Sequence, residues 1–156
     1  MIRTLKILFI IAYLVSLCYL VFFARRRQRM HTLDRYELLN ARPIVNKVRE
    51  YESMNARKDP KEAFYYFTNL FGNIALFMPL PLVLVWLFRL PVSVRLILYT
   101  ALTSICIEFI QFITKSGVAD IDDVLLNTLG GAFGTLLLYL VPQKLLHPHE
   151  TNVDHA

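Results

Sequence analysis

Residues 5–24 read LKILFIIAYLVSLCYLVFFA, and Arg25, Arg26 and Arg27 follow at once. At about 1.5 Å per helical residue this run spans ~30 Å, the thickness of a bilayer's hydrocarbon core. Lys6 is its only charge. A secretory signal has a shorter apolar stretch, followed by small residues at a cleavage site. Here arginines stand in that place. Val15-Ser16-Leu17-Cys18 approaches a lipoprotein site, but Leu17 is too large for the position before the cysteine. The stretch therefore reads as an uncleaved transmembrane helix, and it sets the class of the whole chain.

Three further apolar runs follow, at about residues 64–88, 96–113 and 121–141. Hydrophobic residues make up 56% of the 156, where soluble domains use nearer half. The expected fold is an all-α membrane protein: a bundle of about four transmembrane helices, with an amphipathic interfacial segment between the first and second. Residues 1–24 form the first span, 25–63 a basic amphipathic loop, 64–142 a three-helix core and 143–156 a polar tail. Pro79 and Pro81 remove backbone donors from the second run, so a kink or break is expected there. The turn around Pro91 is short enough to make the second and third helices antiparallel neighbours. There is no internal repeat.

The net charge of +5 is local. Arg25, Arg26, Arg27, Arg29, Arg35, Arg42, Lys47, Arg49, Arg57, Lys58 and Lys61 all lie between the first two apolar runs. No stacking platform or recognition module accompanies them, so nucleic acid is not the expected partner. Anionic lipid headgroups are. Leu38, Leu39, Ile44, Val45 and Val48 give this segment an apolar side, as in a helix lying on a membrane. The basic excess would place it in the cytoplasm, whereas Arg3 and Lys6 favour an inward N-terminus, so the orientation stays open. Cys18 and Cys106 sit inside apolar runs and read as small buried apolar side chains. His147, His149 and His155 in the tail read as solvated residues rather than metal ligands.

Polar residues within the apolar runs carry the functional signal. A carboxylate at mid-helix depth costs ~2.5–3.5 kcal/mol on insertion scales. Glu108 carries that cost, and no helix cap asks for it. Glu108 and Gln111 share a face of the third helix. Asp120, Asp123, Asn127, Gly130 and Gly134 form a stripe on the fourth, and Asn69, Gly72 and Asn73 another on the second. The chain's path brings the start of helices two and four and the end of helix three to one membrane face. A polar pocket is expected there, lined by Asn69, Asn73, Glu108, Gln111, Asp120, Asp123 and Asn127. Plainer roles exist for several of these residues. The aspartates can cap the fourth helix. Gln111 and Asn127 can bond helices together, at ~0.6–2 kcal/mol each. Gly72, Gly130 and Gly134 read as helix-packing positions, the last two as a G-x-x-x-G pair.

Three segments with these residues resemble the VanZ-like family of bacterial membrane proteins, named for a teicoplanin-resistance factor. They are residues 69–79 (NLFGNIALFMP), 108–111 (EFIQ) and 120–131 (DIDDVLLNTLGG) with Gly134. A weaker likeness lies at Asn40-Ala41-Arg42-Pro43, and the whole covers roughly residues 40–141. Two positions depart from the family pattern. Pro81 stands where glycine is frequent. Val118 stands where an arginine often precedes the acids, and Lys115 is the nearby substitute. The resemblance implies a multi-pass protein of the bacterial cytoplasmic membrane with a role in the cell envelope. It supplies no catalytic residues.

Three functions fit this reading. One is a non-enzymatic envelope factor without cofactor, whose pocket meets a lipid-linked or glycopeptide ligand. Another is a membrane enzyme acting on a lipid phosphate or lipid-linked sugar. There Asp120, Asp122 and Asp123, with Glu108, would hold a divalent cation. The third is an assembly partner for another membrane complex. The oligomeric state is open in all three.

Overall fold

The computed structural model describes residues 2–24, 39–40, 44–57, 60–142 and 146. The expectations for the arginine run, Arg42-Pro43 and the histidines of the tail lie outside the described residues. The described elements run α1 (Ile2–Tyr19), a π-helical turn (Leu20–Ala24), β1 (Leu39–Asn40), α2 (Val45–Arg57), α3 (Pro60–Phe77), α4 (Leu80–Phe88), α5 (Arg95–Thr114), β2 (Ala119–Asp120) and α6 (Ile121–Tyr139). Among the described residues, four helical stretches are long and apolar enough to cross a membrane: Arg3–Phe22, Ala63–Phe88, Arg95–Thr114 and Ile121–Tyr139. The all-α bundle expected from the sequence is what the chain forms.

The pattern of exposure says more than length. On α5, Leu98, Leu102, Ile105, Phe109 and Ile113 point outward, while Thr100, Ser104, Glu108 and Gln111 are buried. On α6, Leu125, Leu129 and Leu136 are exposed, while Asp123, Asn127 and Thr135 are buried. A water-soluble bundle turns its apolar stripes inward. This inverted arrangement is stable only where the surrounding medium is itself apolar. The chain is a multi-pass membrane protein. The same logic corrects the reading of the cysteines: Cys18 and Cys106 are exposed on the outer surface. In an apolar solvent, an apolar side chain gains nothing from burial.

The second span breaks where the prolines predict. Pro79 and Pro81 cannot donate to the carbonyls one turn earlier, so α3 ends at Phe77 and α4 begins at Leu80. In the last turn of α3, the hydroxyl of Tyr13 donates to the carbonyl of Leu76 at 3.0 Å. A side chain from α1 thus serves a backbone group next to the break, as membrane helices require.

Helix α6 is the centre of the bundle, packed on α5 and on α3 and α4. Its glycines explain how closely. A Cβ at Gly130 would overlap the carbonyl oxygen of Ile74, and one at Gly134 the carbonyl oxygen of Met78. The glycines are one turn apart, and so are the two carbonyls. Two helix backbones therefore meet in register, with no side chain between them. Helix α1 leans on this core through one stripe, Tyr13, Leu17 and Val21, which packs against Phe77, Leu80 and Val83. At the other end Lys6 lies 4.8 Å over the ring of Trp86 and donates to the carbonyl of Leu146 at 3.2 Å. Leu146 is buried with Val85, Leu96 and Leu138.

Within the segment expected to be amphipathic, residues 25–63, the described part holds a short strand and helix α2. Leu39 and Asn40 are extended and pair in parallel with Ala119 and Asp120. Val45–Arg57 is helical, and Val48 and Tyr51 on it are exposed. Ile44, just before α2, has φ 68°. A β-branched residue is strained there, at a cost of ~1–3 kcal/mol. Its amide donates to Asp122 Oδ1 at 2.6 Å, which fixes the turn. Ile44→Gly is expected to raise the thermal midpoint in detergent, by relieving about 1 kcal/mol of that strain. An unchanged or lowered midpoint would show that the Ile44 side chain contributes more than its backbone loses.

Candidate polar site in the bundle

The polar residues gather at the end of the bundle that holds the end of α1, the α5–α6 connection and β1. Helix α6 begins with Asp120 as its N-cap, whose carboxylate accepts from the Asp122 amide at 2.9 Å. The same Oδ1 accepts from Asn40 Nδ2 at 2.8 Å. Burial lifts the Asp120 carboxyl above its ordinary range, against the downward pull of the Asp122 amide and Asn40. The Asp120 amide donates to Glu108 Oε2 at 3.0 Å. Glu108 therefore has a structural partner that spacing alone does not reveal: it receives the backbone at the entry to α6.

Deeper in, Asn73 Nδ2 donates to Asp123 Oδ1 at 2.7 Å and to Asn69 Oδ1 at 3.2 Å, joining α3 to α6. Asn127 Nδ2 donates to Ser104 Oγ at 2.8 Å, joining α6 to α5. Ser104 stands ten residues before the end of α5 at Thr114. That is about 15 Å along the axis, close to the middle of the hydrocarbon. Gln111 Nε2 donates to the Val21 carbonyl at 3.0 Å, joining α5 to the π-helical turn of α1. The cluster thus runs from the membrane surface at Asp120 to the bilayer centre at Ser104.

Asn73, Glu108, Gln111, Asp123 and Asn127 line one cavity of about 40 Å³, closed on its apolar side by Leu20, Val21, Leu76, Phe77 and Ile107. That space holds a water-sized occupant. Ligand pockets for drug-sized molecules start at roughly 300 Å³, so a sugar or lipid headgroup does not fit inside. Asn69 and Asp120 belong to the hydrogen-bonded cluster but not to the cavity wall.

The three aspartates suggested for a divalent cation are turned to different donors: Asp120 to Asn40, Asp122 to the Ile44 amide and Asp123 to Asn73. Among the described residues, no three His, Cys, Asp or Glu side chains come together as a metal site. Gly72 lies apart from Gly130 and Gly134. It is exposed, and a Cβ there would meet nothing within 4 Å.

Sequence reasoning missed Ser104 and Val21. Ser104 falls four residues before Glu108, on the same face of α5, so its spacing carried the signal. Val21 acts through its carbonyl, which leaves no trace in the sequence.

The fold and the site together define a four-span helical membrane protein with a polar cluster at one end of its bundle. The model of the family described as VanZ/LLP1 matches residues 9–142. The chain is also 30% identical over 144 residues to Protein VanZ of Enterococcus faecium, covering 92% of this chain and 78% of the relative. The chain belongs to the VanZ/LLP1 family. No solved structure matches it.

Proposed function

We propose that this chain is an envelope protein of the bacterial cytoplasmic membrane that lowers susceptibility to glycopeptides of the teicoplanin type, and that its polar cluster is the part that acts. Membership of the VanZ/LLP1 family supports the first half. The observation that carries the second is the depth of the cluster. Polar side chains from α3, α5 and α6 meet at membrane depth, where apolar residues would pack at lower cost. The cavity is too small for a lipid-linked ligand, so such a ligand meets the cluster from its surface end, around Asn40, Asp120 and the α5–α6 connection. A non-enzymatic role fits this best: each carboxylate of the cluster is engaged with an amide, and among the described residues no nucleophile–base pair stands beside it. Membrane lipids are the constant partners.

The test is single replacement of Glu108, Asp123 and Asn127 by alanine, in a strain where the gene lowers teicoplanin susceptibility. At equal membrane abundance, each variant is expected to return susceptibility most of the way to that of the deletion strain. Wild-type resistance in all three would remove the cluster from the function.

A further inference from the structure

Two buried side chains in the cavity present oxygen atoms with nothing to receive. Gln111 is 2% exposed and Asn127 is 4% exposed. Gln111 Oε1 and Asn127 Oδ1 are fully enclosed and have no hydrogen-bond partner. The orientation of the Gln111 amide is fixed by chemistry. Its nitrogen donates to the Val21 carbonyl, which can only accept, so the oxygen must face the other way. Such orphaned acceptors are rare in folded proteins and costly, and each asks for an occupant.

The rest of the wall restricts what that occupant is. Glu108 and Asp123 add carboxylate oxygens to the same cavity. Both amide hydrogens of Asn73 are engaged, one on Asp123 and one on Asn69. The remaining described lining residues, Leu20, Val21, Leu76, Phe77 and Ile107, have no polar side chain. Among the described side chains of the wall, the atoms left without a partner are therefore acceptors, the oxygens of Gln111 and Asn127, beside a water-sized space. Carboxylates mixed with amide carbonyls are the oxygen set that hard cations take. Mg²⁺ demands near-octahedral geometry and keeps several of its waters, for which about 40 Å³ leaves no room.

We propose that Gln111, Asn127, Glu108 and Asp123 form an intramembrane site for one small, dehydrated cation of the Na⁺ or Ca²⁺ type. This deepens the functional reading and rests on it, since it gives the same cluster an occupant. The ion bridges α5 and α6, and Asp123 links it to α3 through Asn73. Through Gln111 it also holds the π-helical turn of α1 against them.

The experiment is saturable binding of radiolabelled sodium and calcium, in separate arms, to the purified full-length chain in lipid nanodiscs washed with chelator. Unlabelled Na⁺, Ca²⁺, Mg²⁺ and K⁺ serve as competitors. One ion per chain is expected, displaced by its own kind at least about tenfold more readily than by Mg²⁺. Gln111→Met, which keeps the length of the side chain and removes the ligand, should weaken binding by ~10-fold or more. Asn127→Asp should keep or tighten it. The Ser104 hydroxyl can turn from acceptor to donor towards the new carboxylate, so the fold is retained. Absence of saturable binding in both arms means that the cavity holds water alone, and binding equal to wild type in Gln111→Met means that any ion is held elsewhere; either result overturns the proposal. The two readings fail separately. No bound ion together with a lost resistance phenotype in the alanine variants sinks only the cation. A bound ion together with unaltered resistance sinks only the functional role.

Discussion

Gly134→Ala is expected to lose about 3 kcal/mol of stability and to leave little folded protein after extraction in mild detergent. The added methyl would fall on the carbonyl oxygen of Met78, with Pro81 Cγ at 3.2 Å. Backbone in a neighbouring helix cannot turn aside as a long side chain can. The helices would have to separate, and the register that sets Asn73 opposite Asp123 would go with them. Gly130→Ala meets the Ile74 carbonyl in the same way. Gly72→Ala supplies the internal control. Open space surrounds that position, so alanine should add up to ~1 kcal/mol through helix propensity alone. Thermal unfolding followed by fluorescence-detected size exclusion reads all three. Equal midpoints for Gly134→Ala and Gly72→Ala would mean that α6 does not approach α3 and α4 as closely as described.

The second large effect is expected at the bond between α3 and α6. Asn73→Asp replaces a donor held 2.7 Å from Asp123 with a second carboxylate. Another acid at membrane depth costs ~3 kcal/mol before any repulsion is counted. Like charges at hydrogen-bond distance add to that. The variant should be poorly inserted or rapidly degraded, with a detergent midpoint well below wild type. Asn73→Leu should be milder. It removes the donor and leaves Asp123 short of one partner, but brings no new charge.

Much of this was readable in advance, for identifiable reasons. Apolar runs of membrane-spanning length declare themselves, and Pro79 with Pro81 marks the break because proline's missing N–H is a local fact. The stripe Asp120, Asp123, Asn127, Gly130, Gly134 was legible because one helix face repeats every three to four residues. Other features depend on partners far along the chain. Leu39 and Asn40 pair with residues eighty positions away, and nothing in a two-residue strand announces it. The Val21 carbonyl is selected by the π-helical turn, which has no residue signature. The cysteines were misjudged by a rule made for water, where apolar means inside. Gly72 sits next to Asn73 in sequence, yet about 100° of helical rotation turns it outward, and only the assembled bundle decides which of the two faces α6.

Asn73 and Asp123 hold α3 to α6 in the polar cluster. Exchanging the two side chains tests this directly: Asn73→Asp combined with Asp123→Asn, compared with each single change. The exchange restores an amide donor facing a carboxylate, with the charge moved from one helix to the other. The double variant is expected to recover most of the detergent stability lost in Asn73→Asp and, on the proposed function, the teicoplanin resistance lost with it. A double variant no better than the sum of its single changes would show that the two residues act independently, and would contradict the account.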